Sequence, residues 1–458
     1  MNVGLLGLGT VGAGVVNLLT RNADEIGRRS GTRIRVVAAA LRHPERPRAC
    51  PTSDLRISSN GEDVVNDPGV DVVVELLGGL EPARSWVRAA IEQGKHVVTA
   101  NKALIAVHGN ELFARARERG VSIRFEAAVA GGIPIIKALR EGLTGNRIEW
   151  VAGIINGTTN YILSEMQQHG RDFADVLSEA QRLGYAEADP GFDIDGIDAA
   201  HKLTILASIA FGIPLQFEHV HVEGISHVSR EDVACAETLG YRIKHLGLCR
   251  WTEAGPQLRV HPTLLPKSQL LASVDGVMNA VMVMGDAVGP TLFYGAGAGA
   301  EPTASAVVAD LVDVVRGGQA RVPHLAFQDD ALSTRPALPM DLVETAYYLR
   351  LEVVDEPGVL ADVTRILSEV GISIESILQK EAAAGAGTVP VIILTHRVLE
   401  RNMNAAIAAM QALPSVRERI VRDARELLDY GIRCVAIMSN DPSEYPEDSF
   451  DNMARVAA

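Results

Sequence analysis

Short apolar runs alternate with helically spaced apolar residues in the first third of the chain. The runs are residues 2–6, 33–41, 70–77, 96–100 and 122–129, and one intervening helix is expected at 82–93. This alternation predicts a parallel sheet covered by helices, the doubly wound Rossmann-type α/β fold. We assign it to residues 1–134, completed by a later helix at 303–316 that packs back on the domain.

The middle of the chain, residues 135–302, has a mixed pattern that predicts an α+β substrate domain. A helix is expected at 135–143 and strands at 146–154, 277–284 and 291–294. The polar residues 156–161 are expected to form a loop, with a helix beginning near Tyr161. After Gly196, apolar residues recur at helical spacing along one face, at Leu203, Leu206, Ala207 and Ala210.

The pattern changes again after a segment rich in proline and glycine. Residues 317–345 are predicted to form a linker. Residues 346–425 then give strands at 349–353, 372–380, 389–396 and 416–422 and helices at 359–370 and 398–413, an independent βαββαβ domain. Residues 426–458 are predicted to be a loose tail.

Composition and charge narrow the possible functions. The 458 residues carry a net charge of −14, which argues against nucleic acid as a partner. The four cysteines are scattered, without metal-ligand spacing, and are interpreted as free thiols in a reducing compartment. Neither a signal peptide nor an apolar run of membrane-spanning length is recognisable. We therefore expect a cytoplasmic protein with no membrane partner.

A glycine-rich turn follows the first predicted strand. Gly7, Gly9 and Gly12 form G-x-G-x-x-G between that strand and a helix, the arrangement in which backbone amides bind a pyrophosphate. A turn that only packs closely is the alternative. The second strand is followed by Arg42 and not by an acid, which favours NADP over NAD, although Arg42 could be an ordinary surface residue.

The stretch at 184–202, GYAEADPGFDIDGIDAAHK, is the strongest candidate for a substrate site. Asp198 and Lys202 are four residues apart on a predicted helix, so their side chains share a face. A solvated acidic loop with an ordinary ion pair is the alternative. Lys102 follows the fourth strand, where ligands bind in such sheets, although it could be a plain helix N-terminal residue.

Several motifs together resemble the homoserine dehydrogenase family, in its monofunctional form with a C-terminal ACT domain. They are GLGTVG at 7–12, Ala100-Asn101-Lys102, EAAVAGGIP at 126–134, NGTTNYIL at 156–163, GYAEADP at 184–190, DIDGIDAAHK at 193–202, GAGAGAEPTA at 295–304 and DEPGVLADV at 355–363. The resemblance implies NAD(P)-dependent interconversion of homoserine and aspartate-4-semialdehyde, in the biosynthesis of threonine, methionine and isoleucine.

The resemblance also implies roles for individual residues. Lys202 would be the acid/base and Lys102 a second catalytic lysine near the cofactor, while Glu187 and Asp198 would bind the substrate ammonium with support from Asp193. The other implied contacts form two sets: cofactor contacts at Gly7, Gly9, Thr10, Val11, Gly12, Arg42, Lys102, Gly184 and Gly299, and a sodium site at Glu126 with the carbonyls of Val129, Gly131 and Ile133.

The ACT-like region implies regulation. Its first turn, with Asp355, Gly358 and Val359, would bind an amino-acid effector, which the family suggests is L-threonine. A dimerisation module without a ligand is the alternative, and exposed strand edges favour a homodimer or homotetramer in either case.

Other functions are weaker candidates. A related Rossmann dehydrogenase could act on another amino acid or semialdehyde. Aspartate-semialdehyde dehydrogenase is disfavoured because none of the four cysteines lies in a nucleophile motif. A regulator that senses amino acids is disfavoured by the presence of Lys102, Glu187, Asp198 and Lys202.

Overall fold

The computed structural model describes residues 1–317, 322–379 and 387–426. Its first domain is a parallel six-stranded sheet in the order β3-β2-β1-β4-β5-β6. The strands are β1 (Asn2–Leu6), β2 (Arg35–Ala40), β3 (Arg56–Ser58), β4 (Val72–Glu75), β5 (His96–Thr99) and β6 (Ile123–Arg124). The helices are α1 (Thr10–Arg21), α2 (Ala23–Ser30), α3 (Gly61–Val65), α4 (Ala83–Glu92) and α5 (Lys102–Arg119).

Alternate strand residues of this sheet enter two separate hydrophobic clusters. Leu6 and Val73 pack with α4 and α5, whereas Leu5 and Val74 pack with α1 on the opposite face. The predicted doubly wound fold is therefore confirmed. The predicted strand at 122–129 is wrong in its second half, because Glu126–Ala128 form a 3₁₀ turn.

The substrate domain is built on a long antiparallel hairpin. Its elements are α6 (Ile135–Lys137, continued by one π-helical turn, Ala138–Gly142), β7 (Ile148–Ile154), α7 (Gly157–His169), α8 (Phe173–Arg182), α9 (Gly191–Ile194), α10 (Ile197–Phe211), β8 (His221–Val222), α11 (Arg230–Thr238), β9 (Tyr241–Thr252), β10 (Gly255–Pro266), β11 (Met278–Gly285), β12 (Gly289–Ala296) and α12 (Ala300–Arg316). β9 pairs with both β10 and β7, and β7 pairs with β11.

The structure tests the sequence predictions for residues 156–161 and for the packing of α12. The predicted loop at 156–161 is wrong, because α7 begins at Gly157 and the side chain of Asn156 caps it. The expected packing of α12 on the first domain is observed: Ala304, Val307 and Leu311 join the cluster that covers α1.

The last region has the predicted βαββαβ order, with one short extra strand. Its elements are β13 (Glu344–Val354), α13 (Val359–Glu369), β14 (Ile374–Gln379), β15 (Thr388–Thr395), β16 (Val398–Leu399), α14 (Glu400–Gln411) and β17 (Val421–Arg425). β13 begins earlier than expected, within the predicted linker. β17 lies at 421–425, later than the predicted 416–422.

This ACT-like region shares a sheet with the substrate domain. β17 pairs in parallel with β10 and antiparallel with β13, which gives one sheet in the order β12-β11-β7-β9-β10-β17-β13-β15-β14. Two buried ion pairs cross this junction, Arg259–Glu426 at 2.7 Å and Arg350–Asp232 at 2.6 Å. The expected structural independence of this domain is therefore not observed.

The remaining sequence predictions concern the C-terminal tail, the linker, the cysteines and membrane-spanning helices. Glu426, placed in the predicted loose tail, is buried, and residues 427–458 lie outside the described residues. Residues 318–321 of the predicted linker and 380–386 also lie outside them. Cys50 and Cys249 are free thiols, as the sequence predicts, and Cys434 lies outside the described residues. Within the described ranges, none of the helices combines the length and apolarity needed to cross a membrane.

Candidate active site

The first turns of α10 carry an acid and a lysine that point to the same place. Gly196 is the N-cap residue of α10, so Asp198 lies in its first turn and Lys202 one turn later. Lys202 Nζ donates hydrogen bonds to Asp198 Oδ2 at 2.6 Å and to the Ile155 carbonyl at 2.7 Å. The predicted common face is confirmed, and the carbonyl fixes the ammonium at the end of β7.

A second lysine reaches Asp198 from the first domain. Lys102 is the first residue of α5, and its Nζ lies 3.1 Å from Asp198 Oδ1. The same ammonium lies 5.7 Å from the centre of the Phe192 ring. Asp198 therefore joins the carboxyl edge of the Rossmann sheet to the substrate domain.

Asn156 bridges the two acids of this site, and sequence reasoning assigned it no role. Its Nδ2 donates to Asp193 Oδ1 at 2.7 Å and to Asp198 Oδ2 at 2.9 Å. Its Oδ1 accepts from the Thr159 amide at 2.8 Å, which caps α7. Recognising the sequence Asn-Gly-Thr-Thr as a helix start would have predicted the cap of α7 but not the contacts with Asp193 and Asp198.

Burial and charge shift the pKa values of these groups in different directions. Burial alone would raise the pKa of Asp198, but the ammonium groups of Lys202 and Lys102 overcome this effect and hold it well below its usual value. Burial lowers the pKa of Lys202, and Asp198 opposes that change. Burial and the charge of Asp198 raise the pKa of Asp193. The pKa of Lys202 therefore moves towards a value useful for proton transfer, and so does the pKa of Asp193.

Glu187 is not brought into this cluster. It lies in an exposed turn after α8, where its carbonyl accepts a hydrogen bond from Gln181 at 3.1 Å. Its carboxylate makes no hydrogen bond or ion pair within the described residues. Gly184 is exposed in the same turn.

The glycine-rich turn forms a cradle for an anion at the start of α1. A Cβ on Gly12 would lie 2.5 Å from the Gly7 carbonyl oxygen, so the turn could not close with a side chain there. Gly9 is the N-cap residue and has no side-chain cap, while Thr10 and Val11 begin the helix. A Cβ on Gly9 would have no neighbour within 4 Å, which leaves room for a ligand against the backbone. This geometry suits the pyrophosphate of a dinucleotide.

Arginines flank this cradle. Arg42 is exposed after the end of β2, as the sequence predicts. Arg48, which sequence reasoning missed, donates to the Leu8 carbonyl at 3.4 Å and to the His43 carbonyl at 2.6 Å. The basic run after β2 was a signal for both residues. Gly299, the other predicted cofactor contact, is the N-cap residue of α12.

The carboxylate of Glu126 is already engaged at the predicted sodium site. Its two oxygens accept from the amides of Ile136 at 2.9 Å and Lys137 at 2.8 Å. Burial and then the charge of Asp310 raise the pKa of Glu126 to about 8. Val129, Gly131 and Ile133 are also buried, and the Ile133 carbonyl accepts from the Ile135 amide at 2.8 Å.

The predicted effector turn lines a cavity of about 310 Å³ between β13 and α13. Asp355 and Gly358 are exposed, and Val359 is buried as the first residue of α13. Gln379 of β14 and Val391 of β15 complete the wall. Gly358 is the N-cap residue and has no side-chain cap; the Val359 amide donates to the Glu356 carbonyl at 3.4 Å, and the amides of Leu360 and Ala361 are available to a carboxylate.

Known families match all three regions of the chain. The homoserine dehydrogenase family matches residues 134–312, and the homoserine dehydrogenase NAD-binding domain matches residues 7–126. The ACT domain matches residues 347–414.

Individual relatives match over nearly the whole length. Homoserine dehydrogenase from Pseudomonas aeruginosa is 63% identical over 433 residues, which cover 94% of this chain and 99% of that protein. A solved homoserine dehydrogenase from Thiobacillus denitrificans is 63% identical, with a TM-score of 0.89 over 93% of this chain and 98% of that one. The Staphylococcus aureus enzyme solved at pH 6.5 is 33% identical, with a TM-score of 0.73 over 93% of this chain and 99% of that one. The chain therefore belongs to the homoserine dehydrogenase family.

Proposed function

We propose that this enzyme interconverts L-homoserine and L-aspartate-4-semialdehyde at the Lys102–Asp198–Lys202 cluster, with NADPH preferred over NADH. The observation that carries the proposal is that Asp198 holds one lysine from each domain within 3.1 Å of its carboxylate. A homoserine-dependent absorbance assay for NADPH formation tests it directly. Without turnover of homoserine, the proposal fails.

Lys202 is the proton-transfer residue in this proposal. Its buried ammonium is fixed by Asp198 and the Ile155 carbonyl, so it can hold or release a proton at the substrate oxygen. The nicotinamide, when bound, supplies the hydride chemistry. Gly7, Gly9, Thr10, Val11 and Gly12 would hold its pyrophosphate, with Gly184 and Gly299 as further contacts.

The acids are proposed to receive the substrate ammonium. Asp198 Oδ2 already accepts from Lys202 and Asn156, so its Oδ1, shared with Lys102, is the oxygen open to exchange. We expect the substrate ammonium to bind at this oxygen beside Lys102. Asp193 would support it, and Glu187 would have to move inward from its exposed turn.

Arg42 is proposed to favour the 2′-phosphate of NADPH, because it is an exposed cation after β2. A solved hyperthermophilic archaeal homoserine dehydrogenase, 26% identical with a TM-score of 0.58, is a complex with NADPH. Arg42→Ala should raise KM for NADPH more than KM for NADH. Arg28→Ala, at an exposed arginine on α2, is the control.

A monovalent cation, Na⁺, is proposed to bind the main-chain oxygens of Glu126, Val129, Gly131 and Ile133. The carbonyls of Val129 and Gly131 accept no hydrogen bond from the described part of the chain, and oxygen ligands suit a hard cation. Replacing Na⁺ with choline at constant ionic strength should lower the activity or the melting temperature. Equal values in both salts would remove the sodium proposal.

L-threonine is proposed as an inhibitor that binds at Asp355, Gly358 and Val359. The support is the cavity of about 310 Å³ beside a carboxylate and free helix amides, which match the ammonium and carboxylate of an amino acid. Asp355→Asn should weaken threonine inhibition at least tenfold, and Asp362→Asn, on the exposed face of α13, should not. A wild-type enzyme that threonine does not inhibit would favour a dimerisation module.

A homodimer or homotetramer is proposed because both end strands of the long sheet carry exposed apolar side chains. Tyr294 on β12 and Ile377 on β14 are examples. Light scattering of the purified protein measures the mass, and a monomer of 48.9 kDa would contradict the proposal.

A further inference from the structure

A buried carboxylate joins the ends of two neighbouring strands of the Rossmann sheet. Glu75 is the last residue of β4, Thr99 is the last residue of β5, and the two are partners in register. Both side chains are completely buried. Thr99 Oγ1 donates to Glu75 Oε2 at 2.6 Å, and the Leu77 amide donates to Glu75 Oε1 at 2.7 Å. The Glu75 carboxylate therefore connects the carboxyl ends of β4 and β5.

The same hydrogen-bond chain continues into the start of α5. The Asn101 amide donates to Thr99 Oγ1 at 2.9 Å, and Asn101 Oδ1 accepts from the Leu104 amide at 3.0 Å as the helix cap. Asn101 Nδ2 donates to the Gly79 carbonyl at 2.7 Å. The next residue is Lys102, whose ammonium lies 3.1 Å from Asp198 Oδ1.

Stability is a poor explanation for a carboxylate at this position. Burial raises the pKa of Glu75, and the hydrogen bonds from Thr99 and Leu77 only oppose that change. It forms no ion pair with any lysine, arginine or histidine of the described residues. A buried carboxylate that accepts hydrogen bonds but has no ion pair still costs free energy relative to a well-packed apolar side chain. What Glu75 does provide is a fixed position for the loop after β4 and for the cap of α5.

We propose that Glu75 is a positioning residue for the dehydrogenase reaction, acting through Thr99 and Asn101 to hold Lys102 beside Asp198. The inference rests on the proposed catalytic role of Lys102. It predicts that breaking the chain of hydrogen bonds lowers kcat without a comparable rise in KM for homoserine. The reason is that a misplaced lysine weakens the reacting geometry and leaves the substrate acids in place.

The matched pair Thr99→Val and Thr99→Ser isolates the hydroxyl. Valine has the shape of threonine but cannot donate to Glu75, so kcat should fall by roughly 10- to 100-fold. Serine keeps the hydroxyl and should restore most of kcat. Glu75→Gln, which keeps the size of the side chain, should lower kcat similarly and provides a second route if Thr99→Val folds poorly. Melting temperature and NADPH affinity are measured for each variant.

A double-mutant cycle with Lys102→Ala separates positioning from a merely structural role. In the Lys102→Ala background, Thr99→Val and Glu75→Gln should each cost less than about twofold in kcat. An equal loss in both backgrounds, or no loss of kcat in the wild-type background, would overturn the inference. If Lys102→Ala itself leaves kcat unchanged, the proposed role of Lys102 fails, and the inference fails with it. An enzyme that does not turn over homoserine would instead refute the proposed function.

Discussion

Asp198 is the residue on which the two halves of the site depend. Its carboxylate accepts from Lys202 and Asn156 and lies within ion-pair distance of Lys102. The spacing of Asp198 and Lys202 was readable from the sequence because a helix fixes which residues share a face. The contributions of Asn156 and Glu75 were not readable, because they depend on contacts between segments that are distant in the chain.

Lys202→Ala should lower kcat by roughly 10²- to 10⁴-fold and raise KM for homoserine much less, since it removes the proton-transfer group. Steady-state kinetics in both directions measure this split. Lys267→Ala, at a partly exposed lysine paired with Glu237, is the matched control and should have no effect. A Lys202→Ala enzyme with wild-type kcat would exclude the role.

Asp198→Asn should shift the pH dependence of homoserine oxidation to lower pH. Asp198 raises the pKa of Lys202 against the lowering by burial, so removing its charge lowers that pKa further. Oxidation needs the neutral amine, and the rising limb of kcat/KM against pH should therefore begin earlier. A limb that moves to higher pH, or stays in place, would contradict the assignment.

Helix periodicity predicted most elements but not their ends. The apolar stripes of α1, α10, α12 and α13 correspond to helices in the structure, whereas the polar start of α7 was interpreted as a loop. Capping side chains such as Asn156 are polar and resemble loop residues in sequence, although they form part of the helix start. β3 and α2 were missed because β3 spans three residues and half of the residues of α2 are charged.

The contact between α1 and α12 should tolerate no side chain at Gly14. A Cβ there would lie 2.7 Å from the Ala300 carbonyl oxygen and 3.2 Å from Ala304 Cβ, so the helices would have to separate. Gly14→Ala should destabilise the enzyme by about 1–3 kcal/mol in a denaturation experiment. Gly9→Ala, where a Cβ has open space, should keep the stability and weaken dinucleotide binding instead. The reverse pattern would show that the packing is looser than described.

At the scale of the whole molecule, one sheet joins the substrate domain to the ACT-like region. The apolar spacing at 346–425 predicted the βαββαβ order, and the resemblance at 355–363 implied an ACT domain. The pairing of β17 with β10 could not be predicted, because strand periodicity shows which residues are buried but not which strand is the neighbour. Arg259 and Asp232 are likewise charges whose buried partners come from the far end of the chain.

Truncation before Glu344 should therefore destabilise the catalytic part. It removes Glu426 from Arg259 and Arg350 from Asp232, and breaking a buried ion pair costs about 3–5 kcal/mol. Thermal unfolding and solubility of the truncated chain measure the effect. Asp355→Asn, a substitution at the effector turn, is the control and should leave the melting temperature unchanged. A truncated chain as stable as the full one would show that the shared sheet contributes little.

Low pH should weaken the junction between the substrate domain and the ACT-like region. Burial alone would raise the pKa of Glu223, but hydrogen bonding with His221 and the charge of Arg422 on β17 lower it from 4.5 to about 2. An acid whose pKa is lower in the folded state than in the unfolded state stabilises the folded protein at pH values above the unfolded pKa. For Glu223 this stabilisation is lost as pH falls from about 4.5 to about 2. Glu223→Gln should remove about 3 kcal/mol of this pH-dependent stability. An unchanged pH dependence of unfolding would contradict the assignment.

The parallel pairing of β10 with β17 also matters while the chain is being made. β10 ends at Pro266 and its partner β17 begins at Val421, so the ribosome releases the two strands far apart in time. Until β17 emerges, Thr263 and Leu264 at the edge of β10 lack a strand partner, and the buried Arg259 lacks its acid. Open edges are templates for pairing between chains. β17 therefore also protects the nascent catalytic part, and chains that stall or are shortened before β17 should be the ones that aggregate or require chaperones.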